Sequence, residues 1–251
     1  MITDVHEERL LVTSDSHLGS LLSSSGRDMA RFLRYAAEHQ YNVCINGDGL
    51  ELMHTSLASM TRETFDFFRH FKSALGGSLR IYYVVGNHDI VLERFFNNWG
   101  AINLVPFLNV RSGDQRVHIE HGHLYDPAFM RSPLLYNWAT RASGTALRAH
   151  VGFFRLYEAW RRLRRRPAPD ADATGDTLVE EGPETTFVRA AREISARGFD
   201  AVIFGHTHAP GTLELRPGSR YFNTGSWLGE PRYVRIEHGA MVMERWPVAR
   251  R

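Results

Sequence analysis

Lysine is nearly missing from this 251-residue chain: Lys72 is the only one, and arginine supplies the rest of the 30 basic side chains. That bias reads as a coding preference rather than a binding code. Against 28 acidic residues it leaves a formal charge of only +2, so the molecule as a whole has no general attraction for polyanions. Cysteine is equally scarce. Cys44 stands alone, which excludes an internal disulfide, and its place in the apolar run Val43-Cys44-Ile45 marks a buried thiol in a reducing compartment. Long apolar runs are missing too. Nothing approaches the ~18 residues a spanning helix needs, and Met1 to Arg9 is too polar for a signal peptide. The expectation is a cytoplasmic protein, at most peripheral to a membrane. What is present is 43% hydrophobic residues, ample for the core of a single domain over 1–251.

Side chains that can do chemistry gather where apolar runs stop. The run Arg80-Ile-Tyr-Tyr-Val-Val85 reads as a buried strand and ends in Gly86-Asn87-His88-Asp89. A rigid strand whose tip exposes such groups is a common seat of chemistry, although the same tetrapeptide serves equally well as a turn. Leu10 to Thr13 runs into Ser14-Asp15-Ser16-His17, where the one-residue spacing puts Asp15 and His17 on one side of an extended segment. Asn42 to Asn46 ends in Gly47-Asp48-Gly49-Leu50-Glu51. Leu104 to Val110 and Arg116 to Glu120 read as two strands joined by Ser112-Gly-Asp-Gln115, the second ending in His121-Gly122-His123. Asp200 to Phe204 ends in Gly205-His206-Thr207-His208.

Between these strands lie helical patterns. Met29, Phe32, Leu33, Ala36 and Ala37 recur at helical spacing, as do Phe65, Phe68, Phe71 and Leu75 behind a cap at Thr61. Such alternation predicts right-handed crossovers and a largely parallel sheet, with ligands at the carboxyl ends of its strands. Ile90 to Trp99 reads as a short helix, and Pro183 opens another that Gly198 closes. Two hairpins, Thr212–Leu215 with Arg220–Asn223 and Tyr233–Glu237 with Ala240–Trp246, suggest a second sheet packed on the first. Residues 127–182 break the rhythm. They read as a helical insertion, with helices at 134–142 and 145–166 and a mobile loop at about 167–182.

Asp15/His17, Asp48, Asn87/His88/Asp89, His121 and His206/His208 thus stand in order at five strand tips, more O and N ligands than independent turns would supply. The ordered set Asp-x-His, Gly-Asp, Gly-Asn-His-Asp, lone His and Gly-His-x-His resembles the calcineurin-like metallophosphoesterase superfamily. The resemblance implies an α/β fold: a four-layer α-β-β-α sandwich, here with a helical lid insertion. It also implies two divalent metals, one held by Asp15, His17, Asp48 and His208, the other by Asp48, Asn87, His121 and His206, with Asp48 shared. His88 would protonate the leaving oxygen and Asp89 would steady His88. Donors without thiolate suit Mn²⁺, with Fe or Zn²⁺ as alternatives. Two cations about 3.5–4 Å apart would clamp a phosphoryl group and acidify an attacking water.

Within the superfamily the chain is most similar to the UDP-2,3-diacylglucosamine hydrolases of lipid A synthesis. The similarity rests on Ser14-Asp-Ser-His-Leu-Gly19, His121-Gly-His-Leu-Tyr-Asp126, Gly205-His-Thr-His-Ala-Pro210, Tyr221-Phe-Asn-Thr-Gly-Ser-Trp227 and the helical insertion. It implies a lid over acyl chains and work at the cytoplasmic face of the inner membrane, yielding a lipid monophosphate and UMP. That family usually has Asp at the positions of His123 and Ser226 and commonly at Glu51, which leaves the reaction intact and the substrate open. His123, Arg141 and Arg148 are candidates for substrate contact. Phe153, Phe154, Tyr157 and Trp160 beside the Arg161–Arg166 cluster have the make-up of an interfacial segment drawn to anionic lipid, although a helix packed on the domain with a solvated basic end fits them as well. Nucleic acid is a weaker partner for the same block, since no base-stacking aromatics interleave the charge. The other readings are a phosphoesterase of different substrate (nucleotide phosphodiesterase, nuclease or phosphatase) and a non-catalytic interaction scaffold of the same fold. Oligomeric state is not legible.

Overall fold

The computed structural model describes residues 4–18, 25–51, 79–95, 98–99, 102–131 and 185–247. The expected helix at 61–75, the lid helices, the loop at 167–182, Arg141 and Arg148 lie outside them. In chain order the strands are β1 (Asp4–His6), β2 (Arg9–Thr13), β3 (Asn42–Asn46), β4 (Ile81–Val84), β5 (Asn98–Trp99), β6 (Ile102–Val105), β7 (Leu108–Ser112) and β8 (Gln115–Ile119). After them come β9 (Ala201–Phe204), β10 (Gly211–Arg216), β11 (Ser219–Asn223), β12 (Arg232–Glu237) and β13 (Ala240–Arg245). The α-helices are α1 (Ser25–Glu38), α2 (Pro127–Arg131) and α3 (Thr186–Ala196).

Among the described residues these strands make two sheets. One has seven strands in the order β13-β12-β2-β3-β4-β6-β5, the other six in the order β1-β7-β8-β9-β11-β10. β2, β3, β4 and β6 run parallel, as the strand–helix alternation read from the sequence predicts. Period-two alternation decides which way each side chain faces. Leu10 and Val12 join Cys44, Tyr82 and Val84 against Val117, Ile119, Ile203 and Phe222 of the other sheet, forming the layer between sheets. Leu11, Val43, Ile45 and Tyr83 face the opposite way and meet Met29, Phe32, Leu33 and Ala36 of α1. On the far side, Val188, Ala191 and Ile194 of α3 cover Val202, Phe204 and Tyr221. The layers are therefore α-β-β-α, as expected.

Several local expectations are corrected. Leu104 to Val110 is not one strand. Pro106, which has no N–H to give a ladder, separates β6 from β7, and the chain changes sheets there. The segment after Asp89 is a 3₁₀ turn over Ile90–Phe95 followed by the edge strand β5 rather than a helix to Trp99. α3 is capped at Thr185, whose hydroxyl accepts from the Val188 N–H at 3.3 Å, while Pro183, the expected opening, lies outside the described residues. The two closing hairpins also do not share a sheet: β10–β11 extends the six-stranded sheet, while β12 pairs with β2 in the seven-stranded one.

Phe32 is fully buried, and its ring meets Trp227, Tyr233 and Trp246 edge-on at centroid distances of 5.5, 5.3 and 5.3 Å. Phe32→Ala should cost about 3–5 kcal/mol, whereas Val242→Ala, at a 41% exposed position, should stay within about 0.5 kcal/mol. Denaturant midpoints of the two variants test this ranking.

Candidate metal centre

The five tips do converge, but from both sheets. β2, β3 and β4 of the seven-stranded sheet deliver Asp15/His17, Asp48 and Asn87/His88, while β8 and β9 of the six-stranded sheet deliver His121 and His206/His208. Pairing continues past the strands and fixes the loops: Asp15 N–H donates to Gly47 C=O at 3.0 Å, His17 N–H to Asp48 C=O at 2.9 Å and Leu18 N–H to Gly49 C=O at 3.0 Å. The Asn223-Thr-Gly-Ser-Trp227 loop buttresses them from behind. Trp227 N–H and Ser226 Oγ both donate to Asp15 C=O, and Asn223 Nδ2 donates to Gly205 C=O.

The backbone here is forced. Among the described non-glycine residues, positive φ occurs at Asp15, His17, Asp48, His206, His208, Gln40 and His238, so five of the seven belong to this cluster. Such conformations are disfavoured for residues with a Cβ and concentrate where a site needs side chains turned inward. Room is made by glycine. A Cβ on Gly86 would overlap the Asp48 carboxylate and lie 2.6 Å from Asp48 N, and one on Gly205 would lie 2.6 Å from Asp15 Oδ2.

Three imidazoles are fixed from behind. His17 Nδ1 faces Glu51 Oε2 at 3.1 Å, His121 Nδ1 faces Asn46 C=O at 2.9 Å and His206 Nε2 faces Asp126 Oδ2 at 2.9 Å. Each acceptor claims the proton of the nitrogen it faces, so the other nitrogen turns its lone pair inward. There His17 Nε2 lies 3.3 Å from His208 Nε2, which is itself 3.1 Å from Asp15 Oδ1. His121 Nε2 lies 3.3 Å from Asp48 Oδ2 and 3.2 Å from Asn87 Oδ1, and His206 Nδ1 lies 2.9 Å from Asn87 Oδ1. The Asn87 amide shows its oxygen to two imidazoles and leaves Nδ2 buried without a partner, the reverse of what hydrogen bonding alone would select. Asp15 Oδ1 is likewise buried, with the His208 ring nitrogen as its near neighbour. Asp15/His17/His208 and Asp48/His121/His206 could each hold a cation, and Asp48 also groups with His17 and His88.

The profile of the calcineurin-like phosphoesterases matches residues 8–210, most of the chain and every residue of this cluster. The chain belongs to that family. It is therefore a metal-dependent phosphoesterase. Among solved structures, GAP50, the anchor in the inner membrane complex of Plasmodium, is 10% identical with a TM-score of 0.52, covering 94% of this chain and 84% of its own. A dimetal phosphatase from Danio rerio is 11% identical with a TM-score of 0.49, covering 94% and 95%. A metallophosphoesterase from Sphaerobacter thermophilus is 14% identical with a TM-score of 0.38, covering 98% and 89%. At these identities the likeness to GAP50 is one of fold, and the other two carry no further weight. No curated protein matches. Among the described residues no helix is long and apolar enough to cross a membrane.

The structure revises one role in this phosphoesterase. Asp89 does not take the His88 ring nitrogen. Its carboxylate accepts from Tyr83 Oη, from Gly86 N–H at 2.6 Å and from Gly49 N–H at 3.0 Å, so it clamps the β4 loop to the β3 loop. The acid that meets His88 Nδ1, at 3.0 Å, is Glu51 Oε1, the same carboxylate whose other oxygen holds His17. A turn that buries Asp89 beneath the loop leaves the longer Glu51 to reach both rings. Glu51 and Asp126 were legible only as neighbours of stronger motifs: Glu51 follows Asp48 by three residues and Asp126 closes His121-Gly-His-Leu-Tyr-Asp126. His123 lies beside the cluster, its ring 5.5 Å from His121 and edge-on to Phe129, with Nδ1 buried and unpartnered.

Burial alone would raise the pKa of every acid here. The neighbouring imidazoles reverse that: His121 and His88 hold Asp48 well below the usual carboxylate range, and His121 and His208 lower Asp15. Burial lowers the imidazoles, but Asp48 and Asp15 carry His121 up to about 10, and Asp48 and Glu51 carry His88 up to about 9. Asp89, buried and beside the Asp48 charge, rises to about 6, and burial together with His121 takes His123 down to about 3. The cluster therefore demands compensating positive charge. Divalent cations supply it in place of imidazole protons, so metal affinity should rise with pH.

Two outcomes follow. Gly86→Ala should push the Asp48 carboxylate aside and weaken Mn²⁺ binding by about tenfold or more with little change in circular dichroism, as calorimetric titration would show. Glu51, opposed by burial but bonded by His17 and His88, falls from an ordinary 4.5 to about 2. A depressed carboxylate stabilises the fold above its unfolded pKa and loses that contribution as pH falls through its folded one. Glu51→Gln should thus flatten the acid limb of metal-free stability between pH about 4.5 and about 2, measured as thermal midpoint against pH.

Proposed function

We propose that this phosphoesterase cleaves a phosphoester or diphosphate at a two-metal centre, with Asp15, His17, Asp48 and His208 around one ion and Asp48, Asn87, His121 and His206 around the other. The observation that carries this reading is the inward turn of lone pairs on His17, His121 and His206, each enforced by an acceptor behind the ring. Carboxylate, amide and imidazole donors without thiolate suit Mn²⁺, with Fe and Zn²⁺ as alternatives. When bound, the ions would supply Lewis acidity toward phosphoryl oxygens and acidify an attacking water.

The residues have separate tasks around them. His88, held through Nδ1 by Glu51, turns Nε2 to within 3.9 Å of Asp48 Oδ2 and is the proton donor to the leaving oxygen. Glu51 fixes the distance between that donor and His17. Asp89 acts through the loop it clamps rather than through the His88 ring.

For the substrate, a nucleotide-linked lipid of the UDP-2,3-diacylglucosamine type fits best, cleaved to the lipid monophosphate and UMP. Support comes from the motif similarity and from exposed apolar side chains that neighbour site residues in the chain. Val91, Leu124 and Met130 are three of the four large apolar residues exposed among those described, and they follow Asp89, His123 and Asp126 closely in the chain. His123, Arg141 and Arg148 are proposed to contact the substrate, and Arg161 to Arg166 to meet anionic lipid at the cytoplasmic face of the inner membrane; nucleic acid is not proposed as a partner.

A Mn²⁺-supplemented screen of UDP-diacylglucosamine, nucleotides, cyclic nucleotides, a bis-aryl phosphodiester and simple monoesters tests the reading. Preferential release of UMP is expected. Preference for another ester overturns the substrate, and a metal-loaded protein inert toward all of them overturns the catalytic reading. His88→Ala should lower turnover by about 10²–10⁴ while metal content stays intact; a variant that loses both ions refutes the assignment.

A further inference from the structure

Asp126 stands outside both proposed ligand sets, yet both of its carboxylate oxygens are engaged. Oδ2 accepts from His206 Nε2 at 2.9 Å, and Oδ1 accepts from Ala128 N–H at 2.8 Å. Its carbonyl also accepts from Met130 N–H at 2.9 Å. The same residue therefore orients a ring of the cluster and caps α2, the short helix that leads into 132–184.

The His206 ring needs that partner. An imidazole turned over about its Cβ–Cγ bond keeps nearly the same shape, so packing against His121 at 5.3 Å and Phe187 at 6.0 Å does not decide which nitrogen faces inward. Hydrogen bonding decides it. Asp126 is the acceptor the described structure gives to Nε2, and with Nε2 claimed, Nδ1 faces Asn87 Oδ1. The far flank of 132–184 arrives at the same place: Thr186 Oγ1 donates to Tyr125 C=O at 2.7 Å, and Phe187 lies against the His206 ring. Both flanks of that segment thus close on one imidazole.

We propose that Asp126 is a positioning residue for the ion held by Asp48, Asn87, His121 and His206, its bond to the His206 ring setting which nitrogen that ion meets. The inference rests on the two-metal reading. It concerns one site of the two, because no bond of Asp126 reaches Asp15, His17 or His208.

Asp126→Ser separates the two bonds. Serine is a good helix cap but is too short to reach His206. Mn²⁺ titrations by calorimetry, with Co²⁺ absorption as a second readout and thermal melting of the metal-free proteins as a fold control, give the result. The expected outcome is two ions in the wild type and, in D126S, one ion weakened about 10–100-fold with the other unchanged and metal-free melting preserved. Wild-type affinity at both sites in D126S, or equal weakening of both, overturns the inference while leaving the two-metal reading standing. Fewer than two ions in the wild type overturns that reading and the inference with it. If D126S lowers metal-free melting, D126N, which keeps the shape and the cap, is read by the same criteria.

Discussion

Negative charge held out of water is the constraint on which this structure turns. Asp15, Asp48, Asp89 and Glu51 are buried within a few residues of strand ends, where no solvent can shield them. Each is met by something specific: Asp89 by backbone N–H groups and a tyrosine, Glu51 by two imidazoles, Asp48 by the His88 N–H and His121, Asp15 by the His206 N–H and His208. What remains uncompensated is directed inward, toward a common volume. Buried charge of one sign is tolerated only with a partner, and the sheets behind these loops are rigid enough to keep the acids from swinging away.

Much of this could be read from residue order alone. Strand tips announced themselves through glycine followed by Asp, Asn or His, and the four-layer plan followed from strand–helix alternation plus the family resemblance. What the order of residues could not convey was direction. Asp89 lies beside His88 in sequence and Glu51 lies far from it, yet the loop turns Asp89 downward onto Tyr83 and brings Glu51 across. Linear proximity misassigned the partner because side-chain direction in the loop past β4 does not follow strand alternation. Pro106 misled in a similar way. Apolar residues on both sides of it suggested continuity, but a residue without an N–H marks the point where the chain leaves one sheet for the other.

The catalytic reading and the fold meet in the loops rather than in the core. Asn223-Thr-Gly-Ser-Trp227 contributes no ligand, but it holds the Asp15 carbonyl and the Gly205 carbonyl from behind. Trp227 does so while its indole packs on Phe32 and donates to Thr13. A single residue thus connects α1, the end of β2 and the cluster, so packing in the outer layer bears on ligand geometry.

The path of the chain through the two sheets has a consequence for how the molecule is made. β1 belongs to the six-stranded sheet, β2 to β6 to the seven-stranded one, β7 to β11 to the first again, and β12 and β13 return to the second. Neither sheet is complete until residues from both ends of the chain are in place, for β2 waits on β12, with Val12 opposite Val234. Contacts of such sequence separation form late and slowly. During synthesis, the strand that leads to Asp15 therefore leaves the ribosome long before β12 exists, and the edge β12 covers stays open until Arg232 to Glu237 have been added.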